Sequence, residues 1–466
     1  MNNYTVGIIG GGPGGYETAI RLNQFNIDCL VVEKEKLGGI CLNWGCIPTK
    51  ALVKSAEVWH EISNAGSYGL DVSAPSFDYK KIFTRKNETV EKLLFGIEQI
   101  FNKRKIPVVY SKAESISKQD DKFVVKLANN DSFACNFLIL ATGSEPKNLP
   151  CITIDEKDVL SSTGILKMEE LPESLAIIGG GVVGCEFASI FASLGVNVHL
   201  IEFLPTLVST EDEEIAKRLQ MFLKKSGIKV STNAGVADCI QTDEKLLLKL
   251  TDDTECTVDK VLLSVGRTPV INIEFDSICV NLSNGAIEIN DFMQTNIPKL
   301  YAIGDVTAKL PLAHTASKQG LIVAEHIRSL ISKDEFHFET ICYENIPRCI
   351  FTNPEVGSCG LTEQQASDIF DEIKTGRFQF TANGKAIAGG NANGFVKVVA
   401  KACDLQIIGM HIIGPNAAEL IAQGSILINL KASAKDVDKI VFAHPTLSEA
   451  LMEAIEDLHC LSIHKM

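Results

Sequence analysis

One pattern of residues occurs twice in the chain, with a constant offset of 169 positions (10 to 179, 15 to 184 and 33 to 202). Each copy has a short apolar run, a glycine-rich turn, a helix-like stretch and a second apolar run ending at a glutamate. The two copies contain Gly10, Gly12, Gly15 and Glu33, and Gly179, Gly181, Gly184 and Glu202. A gapless repeat of this kind is hard to obtain by chance, so it predicts two equivalent structural units.

The spacing of the glycines indicates what these units bind. G-x-G-x-x-G between a strand and a helix provides a tight turn, close backbone approach to a pyrophosphate, and close helix packing. The helix N-terminus offers free N–H groups to the phosphates. A glutamate about 20 residues later can accept hydrogen bonds from a ribose diol. The repeat therefore predicts two Rossmann-like domains and two bound dinucleotides.

Two similar segments delimit these domains. Residues 138–146 and 261–269 each have the pattern of a last strand that ends in a glycine turn, where a cofactor can pass close to the backbone. We therefore predict an α/β fold in which one dinucleotide-binding domain, residues 145–270, is inserted in another, residues 1–144 and 271–335.

Asp305 follows a short apolar run and precedes a helix-like stretch. An acid at the carboxyl end of a strand can hold a hydroxyl of a cofactor, and the alternative is an aspartate that caps the helix. The two Rossmann-like units favour cofactor contact.

The last part of the chain, residues 336–466, has a different pattern. Strand-like alternation at 395–399 and an apolar run at 406–414 are followed by two helical segments, and no phosphate-binding loop occurs there. This order predicts an antiparallel sheet backed by helices, an α+β domain. It can bind substrate, form an oligomer or do both.

Cys41 and Cys46 form a close pair in a glycine-rich segment directly after Glu33. They can reach disulfide distance if the intervening turn folds back, and a helix N-terminus stabilises a thiolate. A dithiol cannot reduce a nicotinamide directly, whereas a flavin exchanges two electrons with either partner. We therefore predict FAD in the first domain and a nicotinamide dinucleotide in the second.

A zinc site and a structural disulfide are the alternatives for this pair. A structural zinc needs four ligands, and no second cysteine or histidine pair has ligand spacing, so no metal is expected. Structural disulfides are rare in cytosolic proteins. Four other cysteines stand alone in apolar sequence and are expected to pack as small hydrophobic side chains: Cys29, Cys135, Cys185 and Cys279.

His444 precedes a proline near the C-terminus, and Glu449 lies five residues later across a turn into a helix. A lone histidine before proline is more often structural. Dithiol chemistry, however, needs a base that titrates near neutrality, and a carboxylate can fix the ring tautomer of that base. We therefore interpret this pair as an acid–base pair.

These motifs resemble those of the pyridine nucleotide–disulfide oxidoreductases. The resemblance rests on residues 38–50, on the double glycine fingerprint and on residues 444–449, and it covers essentially the whole chain. Among the family, the chain is most similar to members that oxidise dihydrolipoamide on lipoyl domains. The resemblance implies a homodimer formed by the C-terminal domain, NAD as the final acceptor, and the E2 core of a 2-oxo acid dehydrogenase complex as a partner.

The resemblance also implies roles for individual residues. Cys41 would be the interchange thiol, Cys46 the thiol beside the flavin, and His444 the acid–base of the partner's site, oriented by Glu449. Lys50 would lie near the flavin and pair with Glu186. The remaining expected FAD contacts are Ala113, Thr142, Gly143, Ser144, Asp305 and Ala313, and the remaining NAD contacts are Val236 and Gly266.

Some positions depart from the family or separate its members. Ala113 stands where a glycine is frequent, and Phe442 where a histidine is common.

Glutathione reductase binds NADPH through basic side chains, whereas Glu202 would repel the 2′-phosphate. Mercuric reductase and large thioredoxin reductases carry a C-terminal thiol or selenol pair, and soluble transhydrogenases lack the redox cysteines. A redox-sensing or scaffolding flavoprotein is disfavoured by the two complete pairs of reactive residues.

Charge and hydropathy exclude other partners. The net charge of −14 disfavours nucleic acid. No apolar run reaches the roughly 20 residues that span a bilayer, so no membrane insertion is expected. The N-terminal residues have no signal-peptide pattern, and we expect a cytoplasmic protein.

Overall fold

The computed structural model describes residues 2–333 and 340–465. The predicted domain boundary at residues 335 and 336 lies outside the described residues. The chain divides into two compact units. The first comprises Met1–Ala51, Lys81–Lys147 and Gly266–Tyr343, and the second comprises Leu52–Lys80, Asn148–Val265 and Glu344–Met466.

The regular elements follow one another along the chain. Up to residue 146 the strands are β1 (Asn2–Ile9), β2 (Cys29–Glu33), β3 (Val108–Tyr110), β4 (Ala113–Gln119), β5 (Lys122–Leu127), β6 (Ser132–Leu140) and β7 (Ser144–Pro146). The helices of this part are α1 (Pro13–Gln24), α2 (Gly39–Trp44), α3 (Cys46–Ser63) and α4 (Tyr79–Arg104). Between residues 159 and 263 the strands are β8 (Val159–Leu160), β9 (Ser174–Ile178), β10 (Asn197–Ile201), β11 (Lys229–Ser231), β12 (Val236–Gln241), β13 (Leu246–Leu250), β14 (Glu255–Val258) and β15 (Lys260–Leu263). The helices there are α5 (Val182–Ser193) and α6 (Glu213–Lys225).

The remaining elements belong to residues 267–456. The strands before residue 333 are β16 (Arg267–Pro269), β17 (Glu274–Asp276), β18 (Leu282–Ser283), β19 (Ala286–Ile287) and β20 (Leu300–Ala302), followed by helix α7 (Ala313–Ser332). The last strands are β21 (Arg348–Ile350), β22 (Glu355–Gly360), β23 (Ile373–Gln379), β24 (Phe395–Lys401) and β25 (Ile407–Gly414). The last helices are α8 (Glu363–Ile369), α9 (Gly384–Ala388), α10 (Ala417–Asn429), α11 (Ala434–Val437) and α12 (Glu449–Glu456).

The main sheet of the first unit contains a parallel Rossmann-like core. Strands β3, β2, β1 and β6 are neighbours in this order, and β20 pairs in parallel with the end of β6. Strands β4 and β5 extend the sheet in antiparallel fashion beyond β6. The apolar residues Val6 and Ile8 of β1 are fully buried, as expected for a parallel strand with both faces covered.

The inserted segment repeats the same order of strands. Strands β11, β10, β9, β15 and β8 form a parallel sheet, and β12, β13 and β14 form a separate antiparallel sheet. The two connections to the first unit's core, β7 and β16, pair with each other in antiparallel fashion. The predicted fold of two Rossmann-like domains, the second inserted in the first, is therefore confirmed.

The C-terminal part has the predicted α+β architecture. Its antiparallel sheet has the order β21-β22-β25-β24-β23, and the apolar core beneath it includes residues of α10 and α12. Every residue of β25 is buried, including the polar His411, whose ring nitrogen contacts the carbonyl of Leu361.

The glycine-rich segment that contains Cys41 forms the short helix α2 over residues 39–44. One local expectation differs from the structure. Cys279 is exposed, so the expectation that it packs as a hydrophobic side chain was wrong, whereas Cys29, Cys135 and Cys185 are buried. The short apolar run around Cys279 lies outside the regular strands, which explains the difference. None of the described helices is long and apolar enough to cross a membrane.

Candidate active site

The first glycine-rich turn connects β1 to α1 and requires glycine at two positions. Gly10 has a φ of +108°, and a Cβ there would lie 2.1 Å from the carbonyl oxygen of Ala141. A Cβ on Gly15 would lie 1.9 Å from the carbonyl oxygen of Gly10. At Gly12, which precedes α1, the nearest atom would be 3.9 Å away, at Gly39. The turn therefore leaves open space at the helix N-terminus, where a pyrophosphate can approach the backbone.

The second glycine-rich turn, between β9 and α5, has the same geometry. Gly179 has a φ of +105°, and its Cβ would lie 2.5 Å from the carbonyl oxygen of Ser264. A Cβ on Gly184 would lie 1.9 Å from the carbonyl oxygen of Gly179. A Cβ on Gly181 would have no atom within 4 Å. The second turn thus provides a second open cradle at a helix N-terminus.

The glutamate of each repeat is held by its own glycine turn. Glu33 accepts a hydrogen bond from the backbone N–H of Gly11 at 2.7 Å, and Glu202 accepts one from Gly180 at 2.6 Å. In each case, the other carboxylate oxygen accepts from the N–H two residues further along, at 2.8 and 2.7 Å. Both carboxylates are therefore oriented beside the open cradle.

Asp305 belongs to a polar cluster in the first unit. The Ser144 hydroxyl donates to Asp305 at 2.5 Å, and Arg267 donates to the side chain and carbonyl of Ser144 at 2.7 and 2.6 Å. Burial lowers the pKa of Arg267, and the negative charges of Asp305, Glu145 and Cys46 oppose this shift. Sequence reasoning missed Arg267, although it directly follows Gly266 at the end of a predicted strand.

The structure brings Cys41 and Cys46 together. Cys41 lies in α2, and Cys46 is the first residue of α3. The two thiols are hydrogen-bonded, and the backbone N–H of Cys46 also contacts the Cys41 sulfur. The hydrogen bond with Cys46 and burial raise the pKa of Cys41, whereas the ammonium of Lys50 acts in the opposite direction. At the N-terminus of α3, the helix dipole favours a thiolate on Cys46.

The structure also brings His444 and Glu449 together. His444 Nδ1 lies 2.8 Å from Glu449 Oε1, and the N–H of Thr446 donates to the other carboxylate oxygen at 2.7 Å. The Thr446 N–H and then His444 lower the pKa of Glu449, which keeps it ionised. The imidazole is 79% exposed. Because Glu449 occupies Nδ1, Nε2 is the nitrogen that can exchange a proton with a substrate.

Further residues predicted for FAD lie in the first unit, between β6 and β7 and at the first residues of β4 and α7. Gly143 has a φ of +74°, and a Cβ there would have no atom within 4 Å. The hydroxyl of Thr142 donates to the carbonyl of Val270 at 2.5 Å. Ala113 begins β4, and Ala313 begins α7.

The other residues predicted for NAD, and the predicted partner of Lys50, lie on separate strands, turns and helices. Val236 begins β12, and Gly266, with a φ of +109°, leaves open space at the position of a Cβ. Glu186 is buried in α5 and accepts a hydrogen bond from the N–H of Phe351 at 3.0 Å. The pairing of Glu186 with Lys50 stays a prediction.

These features fit two dinucleotides, because each cradle combines open space at a helix N-terminus with an oriented carboxylate. Residues 4–320 match the sequence profile described as "Pyridine nucleotide-disulphide oxidoreductase", and residues 346–455 match that of its dimerisation domain. The chain belongs to the pyridine nucleotide–disulphide oxidoreductase family. Family membership confirms FAD and NAD as the cofactors and supports a homodimer.

Individual relatives match nearly the whole chain. A dihydrolipoyl dehydrogenase of Bacillus subtilis is 38% identical over 465 residues, which cover 99% of this chain and 100% of that protein. A dihydrolipoyl dehydrogenase of Zymomonas mobilis is 36% identical over 462 residues, which cover 98% of this chain and 98% of that protein. The solved structure of LpdA from Mycobacterium tuberculosis has a TM-score of 0.88, covers 98% of this chain and 100% of that one, and is 22% identical. The structural match supports the fold, and the relatives confirm that the chain is an oxidoreductase.

Proposed function

We propose that the chain oxidises dihydrolipoamide on a lipoyl domain to lipoamide and reduces NAD⁺, with Cys41, Cys46, His444 and Glu449 as the reactive groups. The hydrogen-bonded thiol pair in the unit with the first glycine turn carries this proposal. The near full-length similarity to dihydrolipoyl dehydrogenases supports the choice of substrate.

The first step is thiol–disulfide exchange at Cys41. The oxidised enzyme has a Cys41–Cys46 disulfide. Nε2 of His444 removes a proton from one substrate thiol, since the thiolate is the nucleophile. The new thiolate attacks the sulfur of Cys41, which breaks the Cys41–Cys46 bond and releases Cys46 as a thiolate.

The second step releases the oxidised product. The remaining substrate thiol attacks the substrate sulfur bound to Cys41, its proton passes to the departing Cys41 sulfur, and the lipoamide disulfide closes. Cys41 leaves as a thiol. The substrate's two protons then reside on Cys41 and His444, and its two electrons on the cysteine pair.

The dithiol is stabilised by groups of the chain itself. The N-terminus of α3 and the neighbouring Arg267 favour a negative charge on Cys46. Glu449 holds the His444 ring through Nδ1 and leaves Nε2 for the substrate. Bound FAD would supply the two-electron chemistry that links the reduced cysteine pair to NAD⁺.

The chain's own residues would hold the two cofactors. Gly12 and Glu33 would take the pyrophosphate and ribose of FAD, and Gly181 and Glu202 those of NAD. Ser144 and Asp305 would bind the polar middle of FAD through their oriented oxygens. The domain boundaries proposed for these sites are residues 1–144 with 271–335, 145–270 and 336–466.

The family resemblance supports two proposals about partners. The base His444 would serve the active site of the partner subunit in the homodimer. The lipoyl domain would be attached to the E2 core of a 2-oxo acid dehydrogenase complex.

One pair of assays tests this function. We expect dihydrolipoamide to support rapid NAD⁺ reduction, whereas NADPH with glutathione disulfide should give little turnover. The reverse pattern would contradict the proposed substrate and cofactor together.

A further inference from the structure

A second histidine–glutamate pair lies beside the first in the C-terminal part. Helix α12 carries Glu449 and, one turn later, Glu453, and residues four apart lie on the same helix face. The Glu453 side chain is 4% exposed, while its partner His464 lies on the segment that follows the helix. Buried carboxylates need hydrogen-bond partners, so the groups around Glu453 determine how this end of the molecule is held.

The segment 462–464 supplies those partners. The Ser462 hydroxyl and the N–H of Ile463 donate to Glu453 Oε2 at 2.6 and 2.9 Å. His464 contributes its N–H at 3.4 Å to the same oxygen, and its Nδ1 lies 2.5 Å from Oε1. The segment therefore wraps around one carboxylate of the helix that presents Glu449.

His464 also acts on Glu449. Hydrogen bonding and charge from Glu453 raise the pKa of His464, and the charges of Glu449 and Glu456 add to this effect. In return, the positive charges of His444 and His464 contribute to the lowered pKa of Glu449. The groups that face His464 are thus the three acids of α12, Glu449, Glu453 and Glu456.

We propose that His464 is a positioning residue for the His444–Glu449 pair: through its contacts with Glu453 it anchors α12, the helix that presents Glu449. This inference rests on the proposed role of His444 as the base. It assigns a task in the reaction to a residue outside every motif of the sequence. The next residue provides a matched comparison, because Lys465 pairs with Asp457 at 2.5 Å.

The test compares His464→Gln, His464→Lys and Lys465→Gln in the complete FAD-loaded protein. Each is assayed for dihydrolipoamide oxidation across pH, and for NADH oxidation by ferricyanide, which needs bound FAD but not His444. We expect His464→Gln to lower the kcat for dihydrolipoamide about two- to fivefold, the range of a partly exposed charge interaction. The low-pH limb should move to higher pH, because Glu449 then ionises less readily.

His464→Lys should restore most of the activity, and Lys465→Gln should leave it unchanged. All three variants should retain ferricyanide reduction and FAD. The inference is refuted if His464→Gln leaves kcat and the pH profile unchanged, if His464→Lys fails to rescue, or if ferricyanide reduction falls in parallel. Failure of the unaltered protein to oxidise dihydrolipoamide would instead refute the proposed function, so the two failures are distinguishable.

Discussion

The ammonium of Lys397 lies 2.8 and 2.9 Å from the two carboxylate oxygens of Asp212, and both side chains are only 2% exposed. Asp212 caps helix α6 of the inserted domain, and Lys397 belongs to β24 of the C-terminal sheet. Glu214 and Glu363 also lie within ion-pair distance of Lys397. One buried cation therefore neutralises acids from two parts of the second unit.

This arrangement predicts a large loss of stability for Lys397→Met. The substitution leaves Asp212 buried without its cation, and breaking a buried pair in this way costs about 3–5 kcal/mol. Thermal unfolding of the variant should begin at a clearly lower temperature. Lys401→Met is the control, since Lys401 lies on the same strand but bonds to the amide of Gln406, and it should change stability by less than about 1 kcal/mol. Equal midpoint temperatures of thermal unfolding for Lys397→Met and Lys401→Met would contradict the prediction.

The Cys46→Ser variant should keep FAD but lose dihydrolipoamide oxidation. It removes the sulfur that leaves as a thiolate in the first step. The long-wavelength absorption that appears when the yellow protein is treated with dithiol should also be lost, while NADH oxidation by dyes persists. Exposed Cys279 offers the control, because Cys279→Ser should behave as the unaltered protein does. Near-normal lipoamide turnover in Cys46→Ser would overturn the assignment.

Glu202 predicts a strong preference for NAD⁺ over NADP⁺. Its carboxylate is fixed by the N–H of Gly180, so it cannot turn away from a 2′-phosphate without losing that bond. Glu202→Gln should raise the ratio of kcat/KM for NADP⁺ to that for NAD⁺ by at least about tenfold, since every 1.4 kcal/mol of repulsion is tenfold. Glu213→Gln, at an exposed ion pair with Lys217, is the control. An unchanged ratio in Glu202→Gln would show that Glu202 does not select the cofactor.

The two glycines of the second turn should respond differently to alanine. A methyl group at Gly181 meets no protein atom within 4 Å, so Gly181→Ala should fold normally but raise the KM for NAD⁺ by about tenfold or more through a clash with the pyrophosphate. Gly184→Ala places a methyl group 1.9 Å from the carbonyl oxygen of Gly179 and should destabilise the protein. Kinetics and thermal unfolding distinguish the two effects. A normal KM for NAD⁺ in Gly181→Ala would show that the pyrophosphate does not bind at this cradle.

His444→Gln should lower lipoamide turnover by at least about a hundredfold, because a positioned base contributes 10²–10⁴-fold. Glu449→Gln should cost less, because Glu449 only orients and polarises the ring. Steady-state kinetics at neutral pH measure both changes.

The same residue allows a test of the homodimer. If His444 serves the partner's site, mixing inactive Cys46→Ser and His444→Gln chains should restore activity, since some hybrid dimers contain one complete site. Continued inactivity after verified subunit exchange would place the histidine in its own chain's site or exclude it as the base.

The sequence by itself determined the fold and the two cradles, because their requirements are local. Gly10 and Gly179 need a positive φ, Gly15 and Gly184 have no room for a side chain, and these demands recur at fixed spacing along one strand–turn–helix unit. The pairing of Cys41 with Cys46 is also local, since both belong to one pair of adjoining helices.

Only the tertiary structure decided the contacts between residues far apart in sequence. Arg267 meets Ser144 across 123 residues, and Lys397 meets Asp212 across 185. Such contacts follow from the packing of whole strands and helices, and no local spacing encodes them. His464 shows the same limit at shorter range, because its role depends on how the segment after α12 turns back toward Glu453.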